Sequence, residues 1–380
     1  MKVSRGRILT THAGSLPRPA DLLELMERAP DDEAWAARVR RAVDEAVKQQ
    51  VTAGLDVVTD GEMSKPSFIT YVTERLTGFE PSREPGALPW ADSKEVAAFP
   101  EFYEPSLRQS PNAAAPRFEC TGPITYRGHA QVQRDIDNLR SALKGLALEE
   151  AFIPAIAPSN VEGRQKNRHY KTDEDYLFAI AEAMREEYAA IVRAGFLLQI
   201  DDPRLVTYYI LRRDSTVEEC RRWAAVRVEA LNHALRGIPR DRVRFHTCYS
   251  INMGPRVHDM ELKDVVDLIL RVNAGAYSFE AANPRHEHEW RVWQDVTLPD
   301  DAVLIPGVIT QSTVLVEHPE LVAERIARFA SVVGRERVIA GADCGFASFA
   351  GSNEIHPTIV WAKLKALVDG ARLASRQLWT

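Results

Sequence analysis

The chain has 380 residues, enough for one large α/β barrel or two ordinary domains. Hydrophobic residues make up 45% and charged residues 27%, the balance of a globular protein. A net charge of −6 without a long basic run argues against a nucleic-acid partner. No apolar run approaches a membrane span, and the start, MKVSRGRILTTHAGSLPRP, lacks an apolar signal core. Four scattered cysteines do not form a disulfide framework, so a reducing cytoplasm is expected.

Strand-like runs alternate with helical patterns along the chain. The first run is Ile8–His12 and the second is Leu55–Thr59, ending in Asp60-Gly61-Glu62. Between them Trp35, Val39, Ala42, Val43, Ala46 and Val47 recur at helical spacing over Asp32–Thr52. Further runs follow at Phe152–Ala157, Leu197–Ile200, Val243–Cys248, Ala276–Glu280, Val303–Val308 and Val338–Ala342. Helical segments are expected over Asp175–Ala194, Val217–Leu235, Leu262–Asn273 and Pro319–Val333. Eight strands at this rhythm predict a closed (β/α)8 TIM barrel in one domain over residues 1–380. The rhythm breaks once, between the second and third strands. Residues from about 66 to 150, with a Pro- and aromatic-rich stretch over Pro81–Pro116 and a strand-like piece over Phe118–Tyr126, read as an insertion.

Four ligand-type residues fall at strand ends. His246 and Cys248 are two apart, so a strand presents them on one face. Glu280 closes another run and Cys344 follows the last. In a (β/α)8 barrel the strand ends converge on one mouth, so the four side chains can meet there. A shell of two thiolates, a carboxylate and an imidazole suits Zn2+. Its anionic ligands outweigh the ion by one charge, so a bound thiol would stay nucleophilic, which points to alkyl transfer to sulfur rather than hydrolysis. Taken singly, each has a plainer reading as a packed cysteine or a core histidine.

Other groups share that mouth. Thr10-Thr11-His12-Ala13-Gly14-Ser15 closes the first run and offers backbone donors for a carboxylate. Glu62 closes the second, and Gln199-Ile200-Asp201-Asp202-Pro203 the fourth; their acids could hold an amino group. Asp60-Gly61-Glu62 also reads as a turn, and Asp201-Asp202-Pro203 as a helix cap. His286 and His288, two apart, would face different sides of a helix and make a poor ligand pair. Cys220 reads as helix packing.

Together TTHAGSLPRP, DGE at 60–62, QIDDP at 199–203, HTC at 246–248, FEA at 279–281 and ADCG at 342–345 resemble the catalytic barrel of the cobalamin-independent methionine synthase family, in the family's order and over nearly the whole chain. The resemblance implies a catalytic zinc held by His246, Cys248, Glu280 and Cys344. It implies that Ser15 binds the carboxylate of an amino-acid thiol, and that Glu62 and Asp201 bind its amino group. The implied activity is that of a 5-methyltetrahydropteroyltriglutamate–homocysteine S-methyltransferase, moving a methyl group to homocysteine to form methionine. The chain has the length of the short, single-barrel branch, which also holds the epoxyalkane:coenzyme M transferases, so a zinc thiol alkyltransferase of that type is the alternative. In the long synthases a His follows the seventh strand; here the segment reads Pro306-Gly307-Val308-Ile309-Thr310-Gln311-Ser312. That departure leaves the donor open between a methyltetrahydrofolate and a methyl-carrying protein. A decarboxylase of the uroporphyrinogen-decarboxylase architecture would need no such ligands, and a non-catalytic structural zinc is a last alternative, since a closed four-ligand shell can be structural.

Overall fold

The structure, a computed structural model, describes residues 1–28, 32–82, 90–109, 117–250, 254–352 and 354–380. Eight parallel strands form one sheet: β1 (Leu9–Thr10), β2 (Val57–Thr59), β3 (Glu150–Ile156), β4 (Leu197–Asp201), β5 (Val243–Thr247), β6 (Ala276–Phe279), β7 (Val303–Ile309) and β8 (Ile339–Ala342). Neighbours follow chain order from β2 to β8, and β1 pairs with β8. This is the expected (β/α)8 architecture. Around it stand α1 (Glu33–Ala53), α2 (His129–Ala142), α3 (Asp173–Arg193), α4 (Val217–Ala234), α5 (Pro319–Val333) and α6 (Pro357–Leu378).

Local chemistry starts and stops these helices where expected. Asp32 accepts from Trp35 N to cap α1, and Gly54, at φ 94°, ends it. Thr216 and Glu219 form a reciprocal capping box at α4. The buried face of α1 carries Trp35, Val39, Ala42, Val43, Ala46 and Val47, the set its periodicity predicts. One expected helix is broken: Leu262–Asn273 is a 3-10 turn, Leu262–Asp264, followed by a single α turn, Val266–Ile269. The carbonyls of Leu270 and Val272 bond instead to the Tyr277 hydroxyl, which ends the helix early. The strand expected over Phe118–Tyr126 extends only over Phe118–Cys120, in a small sheet with Phe79–Pro81 and Lys166–Asn167. Of the expected stretch Pro81–Pro116, residues 83–89 and 110–116 lie outside the described residues.

The barrel closes between β1 and β2, where no ladder runs, and side chains do much of the work. Asp56 N donates to Thr10 O at 3.1 Å, and Asp56 Oδ2 accepts from Thr10 N and Thr10 Oγ1 at 2.8 and 2.9 Å. Thr11 Oγ1 donates to Val57 O at 3.2 Å. Gln50, fully buried on α1, spans the same seam. Its Oε1 accepts from Thr59 N at 3.0 Å and meets His12 Nε2 at 2.9 Å; its Nε2 donates to Thr59 O at 2.8 Å. Because Oε1 can only accept, His12 carries its proton on Nε2, and Nδ1 accepts from Gly14 N. Burial pulls the His12 pKa down to about 4.

Gln50→Ala would strand Thr59 N, Thr59 O and His12 Nε2 in the interior. Partner loss at buried polar groups costs about 1–3 kcal/mol each, so we expect a loss of about 2–5 kcal/mol in denaturant unfolding. His12 predicts an acid effect. Its folded pKa lies below the unfolded value, so between pH 6.5 and 4 the unfolded chain binds a proton that the folded chain refuses. This contribution is intact above pH 6.5 and is lost as pH falls, by up to about 1.4 kcal/mol per pH unit. His12→Gln should therefore show a shallower acid loss of unfolding free energy over that window than the wild type.

Candidate metal centre

Alternation on β5 sends His246 inward, and Cys248, just beyond the strand, to the same side. Cys344 follows β8 by two residues. Ligand atoms of His246, Cys248 and Cys344 all lie within 4.8 Å of one another. Cys344 Sγ donates to Cys248 Sγ at 3.1 Å, and both thiols are free. That hydrogen bond, with His246 alongside, pulls Cys248 well below the usual thiol pKa and pushes Cys344 well above it. Burial pulls His246 down, but the Cys248 sulfur and Asp201 outweigh it and hold the imidazole above its ordinary pKa.

Ser278, paired with His246 across β5 and β6, lies 3.1 Å from His246 Nδ1. Nε2 is buried without a hydrogen-bond partner. An imidazole anchored through one nitrogen, with the other bare beside two sulfurs, is the arrangement of a metal ligand. These donors fit Zn2+. Glu280, the fourth expected ligand, stands one residue past β6 and is 1% exposed. Its carboxylate is not within the trio's 4.8 Å. Oε1 accepts from Tyr249 N at 2.7 Å and Oε2 from Asn283 Nδ2 at 2.8 Å. Burial raises its pKa strongly, and the nearby Cys248 sulfur raises it further.

The three other expected residues converge on the same mouth. Glu62 follows β2 in a tight turn, with Gly61 and Glu62 both at positive φ and Glu62 N bonded to Asp60 Oδ1 at 2.9 Å. The turn reading of Asp60-Gly61-Glu62 thus holds. Glu62 Oε2 is buried without a partner. Asp201 ends β4 opposite His246, with Gln199 Nε2 donating to its Oδ1 at 2.8 Å. Burial pushes Asp201 up to about 7; His246 opposes the rise and Glu62 adds to it. Asp202 instead caps the next helix, accepting from Leu205 N, Ser159 and Asn160. Ser15 lies against Gly345, where a Cβ would come 2.1 Å from Ser15 Oγ, so this glycine lets the β1 and β8 loops touch.

Arg18 fastens these loops together. Its guanidinium donates to the carbonyls of Ala347, Glu62 and Lys65 at 2.7, 2.9 and 2.8 Å. Sequence reasoning did not single out Arg18, Ser278 or Asn283. Ser278 sits two residues before Glu280, so strand alternation could have found it; Arg18 and Asn283 lie in loops, where spacing carries no signal. His286 is buried between Asp259 and Glu289, at 3.3 and 2.8 Å, while His288 is exposed, so the two point apart as expected.

Comparison with known proteins gives the same frame. The sequence model of the catalytic domain of the cobalamin-independent synthases matches residues 155–372. The methionine synthase of Thermococcus kodakarensis is 24% identical over 377 residues, 97% of this chain and 94% of that protein. That of Saccharolobus solfataricus is 25% identical over 378 residues, 97% and 95% of the two chains. A B12-independent methionine synthase from Shewanella sp. W3-18-1, solved with selenomethionine, has a TM-score of 0.73 at 20% identity, covering 98% of this chain and 99% of that one, a likeness of fold. The family match takes in β4 to β8 and hence His246, Cys248, Glu280 and Cys344. With more than half of its length matched in this way, the chain belongs to the cobalamin-independent methionine synthase family and is a transferase.

Proposed function

We propose that this protein is a zinc-dependent methyltransferase that moves a methyl group to the thiol of homocysteine, forming methionine. In this reading His246, Cys248, Glu280 and Cys344 hold the zinc, and Ser15, Glu62 and Asp201 hold the amino acid, all within one catalytic domain. The observation that carries it is the bare, buried Nε2 of His246 beside the Cys248–Cys344 pair. The relatives' names, methionine synthase, support homocysteine as acceptor. The reducing cytoplasm is its proposed location, which would keep both thiols free.

Bound there, the ion would deprotonate the substrate thiol and hold its sulfur for attack. The chain's own residues select and orient the substrate. Glu62 and Asp201 are buried carboxylates, and Glu62 Oε2 has no partner. The buried cations nearby are already committed: Lys65 Nζ donates to Pro154 O at 2.5 Å and lies over the Tyr71 ring, and Arg18 serves three carbonyls. An ammonium placed between Glu62 and Asp201 would add a cation free to hydrogen-bond to them and favour both carboxylates in ionised form. Ser15 Oγ, beside the backbone of Gly345 to Ala347, would receive the substrate carboxylate. Methyl transfer then forms a sulfur–carbon bond as the donor–methyl bond breaks; the donor keeps the electron pair and takes up a proton. The donor is a methyltetrahydrofolate or a methyl-carrying protein. A sulfonate thiol, the acceptor of the epoxyalkane-type alternative, would instead meet two carboxylates.

Purified protein should hold one zinc per chain. Cys248→Ser and Cys344→Ala should lose it or bind it far more weakly, as read by metal analysis after dialysis; normal zinc in both variants would sink the assignment. Glu62→Gln and Asp201→Asn should keep zinc but weaken homocysteine binding. Each charge-assisted hydrogen bond is worth roughly 1.5–3 kcal/mol, so losses of about 10- to 100-fold are expected. Comparing kcat/KM for homocysteine and mercaptoethanesulfonate tests the acceptor: a clear preference for the sulfonate would replace this reading with the epoxyalkane type.

A further inference from the structure

Behind the expected ligands lies a carboxylate that the proposed chemistry does not use. Asp343 is fully buried between Ala342, the last residue of β8, and Cys344. Its Oδ1 accepts from Ala281 N and Ala282 N at 2.7 and 2.8 Å. Its Oδ2 accepts from Asn283 N at 2.9 Å and from Asn283 Nδ2 at 3.2 Å. The three backbone groups are successive residues directly after Glu280. One carboxylate therefore grips the whole turn by which the chain leaves β6.

The same turn is tied to the ligands from its other side. Asn283 Nδ2 reaches both Asp343 Oδ2 and Glu280 Oε2, and Glu280 Oε1 accepts from Tyr249 N, the residue after Cys248. Hydrogen bonds thus run without a break from Cys344's neighbour, through the turn and Glu280, to Cys248's neighbour. β7 makes room for the clamp at Gly307: a Cβ there would lie 1.9 Å from Asp343 Oδ1 and 2.7 Å from Asp343 N and Cα. The strand register also shifts between Gly307 and Ile309, beside β8.

We infer that Asp343 is a positioning residue for the metal centre. It fixes the β6 exit turn, and Glu280 with it, relative to Cys344 and so sets the spacing of the ligand shell. The inference rests on the proposed metal site. Asparagine at 343 has nearly the same shape, but its amide nitrogen would face backbone N–H groups as donor against donor, so one side of the clamp must let go.

The test measures zinc affinity rather than turnover. Wild type, Asp343→Asn and Asn283→Ala are titrated with zinc against a chromophoric chelator, well below their unfolding temperatures. Changes to groups that orient metal ligands typically cost about 10- to 100-fold in metal affinity. We expect a loss in that range for Asp343→Asn and a smaller one for Asn283→Ala. Gln50→Ala, which loosens the seam between β1 and β2 without touching the β6 exit turn, reports what general destabilisation alone does to zinc affinity and should lose less than Asp343→Asn. In the cobalt(II)-substituted protein, Asp343→Asn should alter the visible ligand-field bands. If the wild type binds zinc and Asp343→Asn matches it within twofold with unchanged cobalt bands, the inference fails and the metal site stands. A wild type that binds no zinc overturns both. Should Asp343→Asn fail to fold, Asn283→Ala decides: unchanged affinity there overturns the clamp.

Discussion

Closure of the barrel is the constraint on which the site depends. A strand can aim a side chain, but only a closed ring of strands brings ends that are far apart in sequence to one mouth. Here the ring closes between its two shortest strands. β1 and β2, two and three residues long, each ladder with their other neighbour, β8 and β3, and Asp56 and Gln50 supply hydrogen-bond partners across the seam between them. Both are buried or nearly so, and their bonds replace otherwise orphaned peptide groups. Without that seam, the loop bearing Glu62 would lose its hold beside the loops bearing Ser15 and Cys344, which the β1–β8 ladder already joins.

The mouth is assembled by loop-to-loop ties of the same kind. Arg18 spends its guanidinium on three carbonyls from the β2 and β8 exits, and Gly345 lets Ser15 touch the β8 loop. Asp343 gathers three peptide N–H groups from the β6 exit. The Arg18 and Asp343 ties set a charged group on backbone partners, which strengthens the hydrogen bonds and offsets part of the cost of burying the charge. The groups left without partners are correspondingly informative. His246 Nε2 and Glu62 Oε2 are among the buried atoms of the mouth left without a partner, together with Gln199 Oε1, Tyr249 Oη and Arg18 Nε, and an orphaned buried polar atom is costly unless something meets it.

The barrel interior carries a further polar layer beneath these residues. Arg244, two positions before His246 on the same face of β5, donates to Thr11 Oγ1 and His12 O and lies 3.9 Å over the Phe152 ring. Burial pulls its pKa down to about 9, while Asp201 and Glu150 work against that fall. The interior is thus not a uniform apolar plug; it links the seam at His12 with the acidic end of β4.

Much of this was legible in the sequence. Period-two alternation places His246 and Cys248 on one side, and the βα rhythm identifies the strands whose ends carry Glu62, Asp201, Glu280 and Cys344; both follow from local backbone geometry. The fold class and the convergence at the mouth were therefore available from residues alone. The tertiary structure decided what local pattern cannot encode. It separated Asp201, which faces the site, from Asp202, which caps a helix, although the two are adjacent and alike. It brought His246, Cys248 and Cys344 together and set Glu280 beside them with both oxygens engaged. It assigned work to Gln50, Arg18, Asn283 and Asp343, whose partners lie tens to hundreds of residues away or in irregular loops. Hydrogen bonds of that kind depend on distances in space that only the closed barrel creates, and no periodicity along the chain records them.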